Sequence, residues 1–163
     1  MRAFVEAHLG SRQVARVIYG AIIGLAIVVG LQRHPPPPGS VIATLLGTAV
    51  AVGLAELYSE VVGTETRTRH RIERAQLRAI AEDVAAVAFG VGFPAAFFVL
   101  AAAGAMELDT AFDLAKWSGL GLTAFYGFAA ARLAGERLLA ALAYAAAIGL
   151  VGAFLIALKA LVH

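Results

Sequence analysis

The chain has 163 residues, 61% of them hydrophobic, with a formal net charge of +2 and a mean hydropathy of +0.83. Soluble domains are only about half apolar, so a membrane protein is expected, with no room for a separate soluble domain. With no cysteine, disulfides, thiolate metal sites and a cysteine nucleophile are excluded.

The apolar residues gather into five blocks, at about 14–31, 41–63, 84–105, 114–133 and 138–162. Each approaches the roughly 20 residues that cross a hydrocarbon core of about 30 Å. The blocks lack the alternating ten-residue pattern of a barrel. The expected fold is therefore an all-α integral membrane protein, a bundle of five transmembrane helices forming a single domain over 1–163.

The N-terminal arm, MRAFVEAHLGSRQVARV, is charged, and no small-residue cleavage site follows the first block. That block is expected to be a retained span preceded by a short interfacial helix. With the N-terminus inside, the inner segments hold Arg2, Arg12, Arg16, Arg67, Arg69, Arg71, Arg74, Arg78, Arg132 and Arg137, and the outer ones only Arg33, Lys116 and Lys159. The positive-inside rule then gives a cytoplasmic N-terminus, an outer C-terminus and, as the expected location, a bacterial-type inner (plasma) membrane. Topology accounts for the basic residues, so no nucleic-acid partner is expected.

The loop QRHPPPPGS is a stiff polyproline linker, with Ser40 the expected N-cap of the second span. In that span Ala43, Gly47, Ala51, Ala55, Ser59 and Gly63 recur every four residues. Such a small-residue stripe lets another helix approach closely. Gly20 and Gly24 in GAIIG of the first span offer a match. The stripe packs either inside one protomer or as a homodimer seam.

The segment 64–82 reads as a basic helix that extends the second span and then lies on the inner surface. Glu65 and Arg69 stand i, i+4 in the helix-supporting order. Arg67, Arg69, Arg71, Arg74 and Arg78 can contact anionic membrane lipids at about 1 kcal/mol each, or simply be solvated. Pro94 in FGVGFP predicts a kink. The outer loop beyond carries Glu107, Asp109 and Asp113, an acidic mouth or a solvated face, and Trp117 fits an interfacial aromatic belt.

The chemistry concentrates on Glu56 and Glu60, one turn apart in AELYSEVVGTE. Counted from Val41 at 1.5 Å per residue, Glu56 lies about 22 Å deep and Glu60 about 28 Å, near the headgroups. A carboxylate in hydrocarbon is costly and points to a paired structural group or an ion- or proton-handling one. Tyr19, Thr48, Ser59 and Tyr126 are candidate polar lining for such a path. His8, His34, His70 and His163 are scattered, no triad or metal-protease motif is present, and no cofactor or enzymatic activity is expected.

These features, YGAIIG in the first span, AVGLAELYS at 51–59 in the second, FGVGFP in the third and GFAAARLAG in the fourth, together resemble the vacuolar iron transporter family. The resemblance implies five spans, a cytosolic N-terminus, a dimer and a functional glutamate at Glu56. It marks the chain as a shortened, divergent member. Ile23 stands where the family has an aspartate and Val52 where it has a methionine. The stretch between spans two and three is mostly arginine rather than a glutamate-rich metal-binding domain.

Three functions follow as expectations. The first is a small cation or proton transporter or channel, dimeric and working past Glu56. The second is a non-transporting accessory or scaffold subunit that binds a membrane protein partner. The third is a membrane enzyme or lipid-binding protein.

Overall fold

A computed structural model describes residues 11–161. The N-terminal arm up to residue 10, with Arg2 and His8, and the terminal His163 lie outside the described residues. Six helices follow in order: α1 (Ser11–Leu31), α2 (Pro38–Thr68), α3 (Arg74–Gly92), α4 (Ala95–Ala102), α5 (Leu108–Leu133) and α6 (Leu138–Leu161). No strand occurs among the described residues.

Helices α1 and α2 are each long and apolar enough to cross a membrane, and α3 with α4 makes a third candidate, bent by 48°. The bend falls at Phe93 and Pro94, as the sequence leads one to expect: proline removes a ladder hydrogen bond and crowds the preceding turn. By the same measure of length and hydropathy α5 does not qualify, and in α6 the described apolar stretch covers Leu138–Phe154.

Three boundaries differ from the sequence expectation. Helix α2 begins at Pro38 with Pro37 as its N-cap, so Ser40 lies inside the first turn, where its carbonyl accepts the Thr44 hydroxyl at 2.8 Å. Proline suits a first helical position because that N–H has no partner anyway. The basic segment 64–82 is not one helix lying on a surface. Residues 64–68 finish α2, Arg69 closes it in the left-handed conformation (φ 54°), and α3 starts afresh at Arg74. Finally, α3 runs unbroken from Arg74 into the apolar Gly92 end.

Helix α1 is the centre of the bundle. Val14, Val17, Ala21, Leu25 and Val28 form its buried stripe, spaced by three and four residues as one helix face requires. The closest contact joins α1 to α3, backbone against backbone. A methyl group on Gly20 would collide with the Val87 carbonyl, one on Gly24 would sit 2.9 Å from the Val91 carbonyl oxygen, and one on Gly90 would sit 2.5 Å from that of Val17. Val87 opposite Gly20 and Val91 opposite Gly24 share one offset, so α1 and α3 run parallel. The GAIIG glycines therefore meet α3, and not the small-residue stripe of α2.

Helix α5 covers another side of α1. Its buried residues Ala111, Ala115, Gly119, Thr123, Gly127 and Ala131 recur every four positions. This is a small-residue stripe used for internal packing: Gly119 receives Leu25, and Gly127 receives Ile148 of α6. Toward the proline loop, Phe98 and Phe112 meet edge to face at 4.8 Å within a cluster that includes Val28, Val41 and Leu45. Such a pair is worth about 0.5–1.5 kcal/mol beyond burial.

Helix α2 packs antiparallel on α3 and is peripheral. Val41, Leu45, Ala49 and Gly53 face inward. Ala43, Gly47, Ala51, Ala55 and Ser59 are exposed, and nothing lies within 4 Å of a methyl placed on Gly47 or on the half-buried Gly63. The second-span stripe is therefore not used inside the protomer.

This contrast gives a direct test. Gly20→Ala and Gly90→Ala should each lower stability by at least about 1–3 kcal/mol, because rigid backbone must move. Gly47→Ala, into open space, should cost nothing. Thermal unfolding in detergent micelles, followed by circular dichroism, distinguishes the two classes.

Candidate functional site

The first three long helices each carry a charge near one end of the bundle. Arg16 is in the second turn of α1, Glu56 in the second half of α2, and Asp83 on α3. The parallel offset set by Gly20 and Val87 brings Asp83 level with Arg16. The antiparallel register of α2 and α3, with Gly53 beside Val84, brings Glu56 to the same layer. Asp83 is 7% exposed, one of two buried polar residues among those described.

The Arg16 Nη1 donates to Glu56 Oε2 at 2.6 Å, the side chains being 24% and 23% exposed. This is a charge-assisted hydrogen bond at the short end of its range. It joins helices that otherwise touch little, since α1 leans on α3 and α5. Removing one member leaves a part-buried charge without its counterion.

In the sequence Glu56 stands out as a carboxylate in an apolar run, whereas Arg16 reads only as a topology marker. The signal was present: Arg16 sits two residues inside the first apolar block, as Glu56 sits inside the second. Asp83 was missed because it stands one residue before the third block.

The remaining pathway candidates do not gather around Glu56. Tyr19 is exposed on α1 and Ser59 on α2, Thr48 is half-buried on α2 and Tyr126 on α5, and Arg16 is the one side chain hydrogen-bonded to Glu56 among the described residues. Glu60, one turn beyond Glu56, is half-buried. Among the described residues no three histidine, aspartate or glutamate side chains converge as a metal site would require.

At the other end of the bundle, Lys116 Nζ donates to Asp113 Oδ1 at 2.8 Å and to Gln32 Oε1 at 3.3 Å, while Gln32 Nε2 donates to Asp113 at 3.2 Å. The network ties α5 to the last turn of α1. It neutralises one member of the proposed acidic mouth. Trp117 beside it faces outward.

The Lys116 hydrogen bond and charge, then the Gln32 hydrogen bond, hold the Asp113 carboxyl below its ordinary value of 3.8. The unfolded chain therefore binds a proton that the folded one does not. Asp113 contributes stability above the ordinary carboxylate range, and that contribution is lost as pH falls through the lowered folded value. The acid limb of a melting-temperature profile should be shallower in Asp113→Asn than in the wild type, with the two converging below that value.

The Arg16/Glu56 pair can be tested by a double-mutant cycle. Arg16→Gln and Glu56→Gln should each destabilise by about 1–3 kcal/mol, less than the ~3–5 kcal/mol of a fully buried pair. Their coupling, read from chemical unfolding in micelles, should be at least about 1 kcal/mol.

Comparison with protein families, with curated proteins and with solved structures finds no match.

Proposed function

We propose that this chain is a membrane-embedded accessory or scaffold subunit that holds a partner helix and does not itself carry ions. In this reading the five apolar blocks all lie in the bilayer. The bent α3 and α4 form the third span, and α5 and α6 enter because the bundle shelters their polar groups. The Arg16 end lies inside and the proline loop outside, in keeping with the arginine bias.

The observation that carries the reading is the Arg16/Glu56 ion pair. A transport path past Glu56 needs a carboxylate free to meet a cation. Here its charge is matched by the Arg16 guanidinium at 2.6 Å. The pair acts as a brace between α1 and α2.

The uncovered face of α2 supplies the surface a scaffold needs. Leu46, Val50, Leu54, Tyr58 and Val62 form an exposed ridge, and Ala43, Gly47, Ala51, Ala55 and Ser59 run beside it as a groove. A ridge of i, i+4 residues fits a groove of the same period on another helix. Helix α5 buries its own small-residue stripe, so the same pattern left open on α2 is a seat for a helix from a second copy or from another membrane protein.

Two measurements test this. Proteoliposomes holding the wild type should pass protons, Fe²⁺, Mn²⁺ and Co²⁺ no faster than protein-free vesicles. Flux that disappears with Glu56→Gln would overturn the reading and make Glu56 a transport site. Since the chain lacks cysteine, Ala51→Cys gives a background-free cross-linking handle in native membranes. A product of twice the monomer mass identifies a second copy, a heterologous product identifies another partner, and no product at all refutes an occupied α2 face.

A further inference from the structure

The α2–α3 hairpin ends in a dense positive surface. Arg67, Arg69, Arg71, Arg74 and Arg78 are all exposed, and none forms an ion pair among the described residues. The carboxylates closest in sequence are spent on the backbone. Glu65 accepts the Ile72 N–H at 3.4 Å. Glu73 caps α3 in a reciprocal box with Gln76, whose side-chain oxygen accepts the Glu73 N–H at 3.1 Å.

The turn itself is firmly built. The Arg69 N–H donates to the Glu65 carbonyl at 2.8 Å, and His70 Nδ1 lies 2.8 Å from the Thr68 carbonyl oxygen. The arginines are thus displayed from a fixed frame, and their five positive charges outnumber the two negative ones of Glu65 and Glu73 in the same hairpin.

Depth selects the partner. The antiparallel register that places Gly53 beside Val84, and that Glu65 closes onto Ile72, brings Arg78 level with Ser59 and Arg74 level with Gly63. Measured from Val41 along α2, these levels lie about 27 and about 33 Å away at 1.5 Å per residue. The hydrocarbon core is about 30 Å thick and the headgroup layer adds roughly 5–7 Å per side. Arg74 and Arg78 share one face of α3, one turn apart: Arg74 lies in the headgroup layer, and Arg78 lies about 3 Å inside the hydrocarbon edge, from where its long side chain extends to the phosphates. Guanidinium binds phosphate through two parallel hydrogen bonds, which a lysine cannot match.

We propose that the α2–α3 hairpin is a docking surface for anionic phospholipid headgroups. Arg74 and Arg78 hold headgroup phosphate, and Arg67, Arg69 and Arg71 strengthen the attraction from the tip. The proposal rests on the membrane-spanning reading above, but not on the scaffold role.

The test uses the purified full chain in micelles, with phosphatidylglycerol, phosphatidylcholine or inorganic phosphate added and bound lipid counted by native mass spectrometry. Phosphatidylglycerol should be retained in preference to phosphatidylcholine. Arg74→Gln and Arg78→Gln should each weaken retention about fivefold and the double variant about 25-fold, while Arg137→Gln at the other arginine-bearing turn changes it less than about twofold. Circular dichroism confirms that the variants keep their helices. Equal retention of the two lipids, or an equal effect of Arg137→Gln, overturns the proposal, as does displacement by millimolar inorganic phosphate, which would indicate a free-anion site. Alkaline carbonate extraction of the wild type from membranes separates the two levels. A protein that washes out refutes the spanning reading, whereas one that stays but does not discriminate lipids refutes the headgroup surface alone.

Discussion

The contact on which the bundle depends is the backbone-to-backbone approach of α1 and α3 at Gly20, Gly24 and Gly90. Nothing larger than hydrogen fits at the tightest of these points. In lipid, helices gain little from the hydrophobic effect when they associate, and close van der Waals contact takes its place. The glycines allow that contact and also fix its register. Once α3 is locked against α1, Asp83 comes level with Arg16, Val87 and Val91 are buried, and α2 can only lie outside them, antiparallel to α3. The position of Glu56 beside Arg16 follows from that arrangement.

Charge and packing therefore answer the same question in different places. The middle of the bundle is held by small residues and close approach, through Gly20 against α3 and through the buried stripe of α5. Its two ends are held by polar links: the Arg16/Glu56 pair at one, and Gln32, Asp113 and Lys116 at the other. The first link joins helices that otherwise touch little, whereas the second reinforces α1 and α5 where they already pack. Hydrogen-bonded charges near the ends of the apolar segments cost less to bury than at their centre, because long side chains can reach toward water.

The helical class and the bend at Pro94 were legible in the sequence, because apolar block length and proline chemistry are local properties. Glu56 was legible as a carboxylate in an apolar run. Its partner was not singled out, because pairing across 40 residues depends on register, which only the glycine contact sets. Gly20 and Gly24 were recognised as packing residues but matched to the wrong helix. Nothing in a small-residue pattern names its partner, and the single Gly90 that completes the contact repeats no stripe. The stripe on α5 escaped notice because Thr123 and three alanines look unremarkable in an alanine-rich helix. The course of the basic segment depended on the left-handed Arg69, a conformation that few sequences advertise without glycine.

The pairing of α1 with α3 across the intervening α2 bears on how the protein is made. The chain emerges at about 5–20 residues per second, and some 60 residues separate the end of α1 from the end of α3. For roughly 3–12 s on that estimate, the first helix has no surface to fill its glycine groove. Its arginine also waits until α2 delivers Glu56. The earliest stable unit is thus the set of three helices and not a hairpin of the first two, and a ribosome that stalls between α2 and α3 would leave an incompletely packed α1 for quality control to recognise.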